Sequence, residues 1–555
     1  MRNFRFWWLL ATVLALLSAC SKEPSPDGGG AGGGESEKDI TVKGKVLDYN
    51  GKGLPGVVVS DGYKCVETNS SGEYRLASDL AAVKFISVSI PRGYKVASKG
   101  GLPLFYKRLS EESLTNGIYQ NLNFRLEKPV GDPDRCTLIV AADPQSRASS
   151  AAYDNIGFHS LECQKDVYED MGDYAAGISG REVYGVMLGD LVHENMNLYA
   201  NYVNDLGRTG FASFSIIGNH DHNTKGVDDA DGAAVYEQYL GPTNYSFNLG
   251  MFHFVMLDDM IMYPDATGAL KSYNTGLTDA TLEWLKQDLR FVDTSTPIMV
   301  CAHSPMFRLK GGSERFNSNN TVNGKKYAEI FAKYEHVYAW AGHTHSAFNY
   351  AASSGTCPNV ESHTLTRCTG ELWTNENIQE DGFPRSYVVV EINGGSISWK
   401  MKPVDRETGK NVARTTDFVW YPFTREDSGA LFRGASRVDD KYQIHAYPRG
   451  SYGDNYVYAN VLMYDEKWGK VEFIDSNGAT TVMTRVTDKT LKYDLSYKES
   501  FEWYTAHAAQ FADRTFSTET AESIFRCYSS LKTGSGYVQA TDRFGNIFKS
   551  DVINW

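Results

Sequence analysis

Cysteine is scarce: eight residues in a chain of 555, too few to staple a disulfide scaffold. Positive charge is also in deficit, with 55 Lys and Arg against 68 Asp and Glu and a formal net charge of -13. No long Lys/Arg run offsets that balance, so the chain has no dedicated nucleic-acid surface, which would need clustered cations. A phosphorylated ligand would instead need a local positive site, such as bound metal. Ser304 stands beside His303, but no G-x-S-x-G elbow accompanies it, which sets a serine hydrolase aside. Apolar residues are not lacking: at 42% of the chain, with 13% aromatic, they exclude a mainly disordered protein. At roughly 100–200 residues per domain, the length predicts three to four domains.

Residues 1–19 read MRNFRFWWLLATVLALLSA. Arg2 and Arg5 precede an apolar run shorter than the roughly 20 residues of a spanning helix, the pattern of a secretory signal peptide. Leu17-Ser18-Ala19-Cys20 resembles a bacterial lipobox. That implies cleavage before Cys20, a lipid on its thiol, and a protein anchored in a bacterial cell envelope, on the periplasmic or the cell-surface side. An ordinary signal peptide with an incidental cysteine is the other reading. Residues 20–38 then supply the anchor and a Gly/Pro/Ser tether that packs no core.

From Ile40 the pattern alternates with period two, through Val42 and Val46, Val57 and Val59, Phe85 to Ile90, and Leu122, Phe124 and Leu126. Turn signals at Asn50-Gly51 and Ser71-Gly72 separate the runs, which predicts a small antiparallel sandwich over 39–130. The stretch GKVLDYNGKGLPGVVVS with TNSSGEYRL resembles the carboxypeptidase regulatory-like fold. Over 134–405 the texture changes: near-continuous apolar runs (TLIVAAD, YGVMLGD, FHFVMLDD, PIMVCAHSP) alternate with helical stretches such as 278–291, the mark of strands buried on both faces. From 408 to 555 a second β-rich stretch has turn signals at Asp475-Ser476-Asn477-Gly478 and Arg543-Phe544-Gly545-Asn546. The expected fold is therefore multidomain α+β, with an α/β unit between two small all-β domains.

Five polar clusters end the apolar runs of the middle unit: Asp143-Pro144-Gln145, Gly189-Asp190, Gly218-Asn219-His220-Asp221, His303, and Gly342-His343-Thr344-His345. Strand ends are where open α/β sheets place ligands. Oxygen and imidazole donors without thiolates suit divalent Mn, Fe or Zn. Two such ions about 3.5–4 Å apart need one carboxylate to share.

In this order the clusters resemble the signature of the calcineurin-like metallophosphoesterases. The resemblance implies a β-sandwich flanked by helices and hydrolysis of a phosphate mono- or diester by a hydroxide activated on two metals. It assigns Asp143 and His345 to a first metal, Asn219, His303 and His343 to a second, and Asp190 as the bridge. His220 becomes the general acid, oriented by Asp221. Gln145 stands where the signature has histidine; its carbonyl oxygen is a weaker ligand. Further stretches, among them GNHDHNTKG, GPTNYSFNLGMFHFVMLDD and TDRFGNIF, resemble bacterial phosphoesterases of three parts. A surface-anchored binding protein with a degenerate metal site and no turnover is the rival reading, motivated by Gln145 and 34 tyrosines.

Weaker candidates remain. His193, Glu194 and His222 follow the motifs as pocket-lining or solvated residues. Arg308, Arg367 and Trp373 fall where phosphate contacts or surface pairs would lie. Cys357 and Cys368 are close enough in sequence to bridge.

Overall fold

The computed structural model describes residues 39–148, 160–309, 314–316, 322–351, 357–370, 383, 385–404, 444–451, 453–487 and 522–555. The signal-like segment, Cys20 and the tether lie outside the described residues.

Two mixed sheets stack in the middle of the chain. One runs in the order Ala212–Ser215, Glu182–Met187, Arg135–Ala141, Ser386–Asn393, Ser396–Pro403, its first three strands parallel. The other runs Tyr245–Leu249, Phe252–Leu257, Ile298–Ala302, Val337–Ala341, Val360–Thr364, Phe348–Tyr350, with four parallel strands at its centre. The continuous apolar runs now have a cause. Leu138, Val140, Val388, Val390, Phe254, Met256, Met299 and Cys301 fill the space between the sheets. Their neighbours on the opposite faces lie under helices: Ile139, Ala141 and Val389 pack with Ser160–Ala176 and Tyr199–Leu206. Val255, Val300 and Ala302 pack with Asp279–Leu289 and Gly324–Phe331. The central strands are therefore covered on both faces, and period two fades from their sequence.

In residues 39–130 the alternating positions are buried as their pattern requires, with Val42, Val46, Val59, Val88 and Leu126 at 0% exposure. The sandwich is not wholly antiparallel, however. Val42–Leu47 pairs antiparallel with Glu73–Leu76 but parallel with Ile118–Tyr119 and Phe124–Arg125. Alternation records which face is buried and carries no information on strand direction, so this pairing was not readable. The body docks on the middle sheets by packing Phe105 against Tyr245 and Phe214, ring centroids 4.5 and 5.8 Å away. Trp284 also donates its indole N–H to Ser60 at 2.9 Å.

Toward the C-terminus, both turn signals form hairpins: Gly478 and Gly545 take φ of 83° and 87°, where a side chain would be strained. Both hairpins lie in one sheet, which shares with a second sheet a core of Val457, Phe473, Phe525 and Val538. A buried ion cluster joins this part to the middle unit. Arg543 pairs with Glu361 and reaches Asp465 at 2.8 Å, while its guanidinium lies 5.0 Å from the Trp399 ring centroid.

Candidate metal centre

Five strand ends converge. Arg135–Ala141, Glu182–Met187 and Ala212–Ser215 carry the chain to Asp143, Asp190 and Asn219-His220, whereas Ile298–Ala302 and Val337–Ala341 deliver His303 and His343-Thr344-His345 from the second sheet. Glycine permits the approach. A Cβ on Gly218 would lie 2.3 Å from Oδ1 of Asp190, and one on Gly342 would lie 2.0 Å from Oδ2 of Asp143. Among the described residues ten non-glycines have positive φ, and six of them, Asp143, Gln145, Asp190, Glu194, His343 and His345, belong to this cluster. Strain concentrated in this way is characteristic of functional sites.

Asp143 is fully buried and accepts the His343 N–H on both oxygens, at 3.1 and 3.0 Å. Asp190 accepts the His220 N–H at 2.9 Å on Oδ1 and the Gln145 amide at 3.1 Å on Oδ2. His303 donates Nδ1–H to the Leu188 carbonyl at 2.7 Å, which turns Nε2 inward, 3.3 Å from Asp190 Oδ1 and 3.9 Å from Asp143 Oδ1. His345 Nε2 lies 3.7 Å from Asp143 Oδ1. Both of these Nε2 atoms are buried without a hydrogen bond among the described residues. Asn219 Oδ1 and His343 Nδ1 meet at 3.1 Å, and the His343 ring stands 5.0 Å from that of His303.

The field here favours cations. Burial pushes the Asp143 carboxyl up to about 7 even against His303. Burial disfavours a charged His303 as well, yet the carboxylates of Asp190 and Asp143 overcome it and raise that imidazole to about 10. Burial instead holds His345 well below the ordinary histidine range, so its lone pair stays available. Ligand atoms of Asp143, Asp190 and His345 all lie within 4.8 Å of one another. Inward-facing imidazole nitrogens beside two buried carboxylates fit divalent metal.

His220 sits at the mouth, its side chain 25% exposed. The orientation by Asp221 that the resemblance implies is not what the structure shows. Asp221 faces inward, accepting N–H groups from Leu191, Val192 and Gly218 at 2.9, 3.1 and 2.8 Å and the Tyr199 hydroxyl at 3.1 Å. The carboxylate beside His220 belongs to Glu194, 3.5 Å from Nδ1, with the His193 ring 4.2 Å away. Burial would lower the His220 pKa, but Asp190 and Glu194 outweigh it and raise it.

His222 turns behind the loop onto the Gly218 carbonyl at 3.0 Å. Arg367 is fully buried, donates to the Gly370 carbonyl at 2.6 Å and reaches the Pro144 carbonyl at 3.5 Å, so it backs the turn after Asp143 and is not a surface contact. The side chain of Arg308, and Trp373, lie outside the described residues. Cys357 and Cys368 sit in different cores and are not bridged to each other.

Residues 40–129 match the family model described as the N terminal of calcineurin-like phosphoesterase, and residues 363–548 match its C-terminal counterpart. The two matches flank the strand ends described above. No curated protein matches the chain in sequence. Among solved structures, the chain is similar to a dimetal phosphatase from Danio rerio, with 14% identity, 49% of this chain and 97% of that one covered, and a TM-score of 0.34. It is also similar to the purple acid phosphatase PPD1 from yellow lupin, with 12% identity, coverage of 64% and 67%, and a TM-score of 0.34. A third likeness is to PhoD, with 9% identity, coverage of 63% and 82%, and a TM-score of 0.32. With matched N- and C-terminal segments enclosing a cluster of buried carboxylates and imidazoles, the chain belongs to the calcineurin-like metallophosphoesterase family.

Proposed function

We propose that this phosphoesterase holds two divalent cations, Mn, Fe or Zn, and hydrolyses a small phosphorylated substrate outside the cytoplasm, tethered through a lipid on Cys20. Asp143 and His345 hold the first ion, with Gln145 steering Asp190 through its amide. Asn219, His303 and His343 would hold the second, with Asp190 placed to serve both. When bound, the ions polarise the phosphoryl oxygens and lower the pKa of water near them, from 15.7 towards about 7. His220, at the mouth and oriented by Glu194, donates a proton to the departing oxygen. Asp221 fixes the loop that carries His220 and takes no part in proton transfer.

The observation that carries this reading is the position of His303 Nε2 between Asp190 and Asp143, at 3.3 and 3.9 Å. The family match weighs against the non-hydrolytic binding protein, and Gln145 lies inside the centre, tied to Asp190. The test is a screen of aryl phosphate mono- and diesters and phosphorylated metabolites with protein loaded separately with Mn, Fe and Zn. Turnover that depends on the metal supports the reading. Tight ligand binding with no turnover under any metal contradicts it.

A further inference from the structure

The hairpin of Met260–Pro264 and Leu270–Thr275 reaches the centre from outside the motifs. Its register shifts between Tyr263, opposite Ser272, and Pro264, opposite Leu270, so Lys271 has no residue across from it. Bulges of this kind re-aim a side chain beside active sites. Lys271 Nζ lies 2.6 Å from Oε2 of Glu194, whose Oε1 is 3.5 Å from Nδ1 of His220. Two residues on, the Tyr273 hydroxyl is 3.4 Å from Nε2 of His343. The same strand therefore touches the acid side and the ligand side of the centre.

The Lys271 side chain is 44% exposed and that of Glu194 28%. An ion pair so open to solvent adds little to stability, so its consequence is orientation. We infer that Lys271 is a positioning residue: bulged out of its strand, it holds Glu194 against His220 and thereby sets which leaving groups the enzyme can expel. This rests on the hydrolase reading with His220 as proton donor.

The test uses the full-length, metal-loaded protein on phosphate esters that run from activated aryl to alkyl leaving groups, in wild type, Lys271→Met and Lys271→Arg. Losing part of a general-acid effect of roughly 10²–10⁴ predicts that Lys271→Met lowers kcat about tenfold for alkyl esters and under about twofold for activated aryl esters. KM and calorimetric metal binding stay at wild-type values, and Lys271→Arg restores the alkyl rate. Equal losses across the series, no loss, or weakened metal binding overturns the inference and leaves the hydrolase reading standing. A wild type that binds metal and turns over neither class of ester overturns both.

Discussion

Gly342 lies against Asp143 so closely that a Cβ on it would stand 2.0 Å from Oδ2. The carboxylate cannot yield, because both oxygens are held by the N–H of His343, the next residue in the chain. Gly342→Ala is therefore expected to displace the ligand while the cores stay intact. Metal analysis should find affinity lowered about a hundredfold, at the upper end of what disturbed ligand support costs, with an unchanged far-UV spectrum.

Asp221 answers three backbone N–H groups and one hydroxyl in a fully buried position. Asp221→Ala leaves those donors unsatisfied, at about 1–3 kcal/mol for each one that water cannot reach. Urea unfolding should show a loss of at least about 3 kcal/mol. Whatever activity survives should keep its leaving-group dependence, in contrast to a variant of Glu194.

Arg543 stands between Glu361 and Asp465 and over Trp399. Removing one partner from a buried cluster strands the others, typically at about 3–5 kcal/mol. Arg543→Met is expected to lower the thermal midpoint and to release the C-terminal sheets to proteolysis before the middle unit unfolds.

Glu361 supplies a pH test. Its burial would raise its pKa, but His363, Arg543 and Lys467 outweigh that and hold it at about 2, below the ordinary 4.5. A depressed carboxyl stabilises the fold above its unfolded pKa and loses that contribution as pH falls through the folded one. The stability gap between wild type and Glu361→Gln should be full above pH of about 5 and should close as pH approaches about 2, read as urea midpoints across that range.

Much of the centre was legible because its chemistry is local. Each cluster joins ligand residues to a strand end, and Gly218 and Gly342 sit where side chains cannot fit. The partner of His220 was not legible for the same reason: Asp221 is adjacent in sequence but turns inward, while Glu194 comes from the previous motif and is held by Lys271, 77 residues further on. Arg367 reads in sequence as a phosphate contact or a surface pair, yet it is buried behind the turn after Asp143, where its donors find the carbonyl oxygens of Gly370 and Pro144. The β-rich ends were legible as alternation and turns, but the parallel pairing of Val42–Leu47 was not, since it depends on segments more than 70 residues away.

In the proposed centre, Asp190 would serve both ions. The most direct measurement is metal stoichiometry of Asp190→Asn beside its turnover of an aryl phosphate ester. The account predicts that bound metal falls below two per chain and that activity is lost with it. Undiminished turnover after that loss of metal would contradict it.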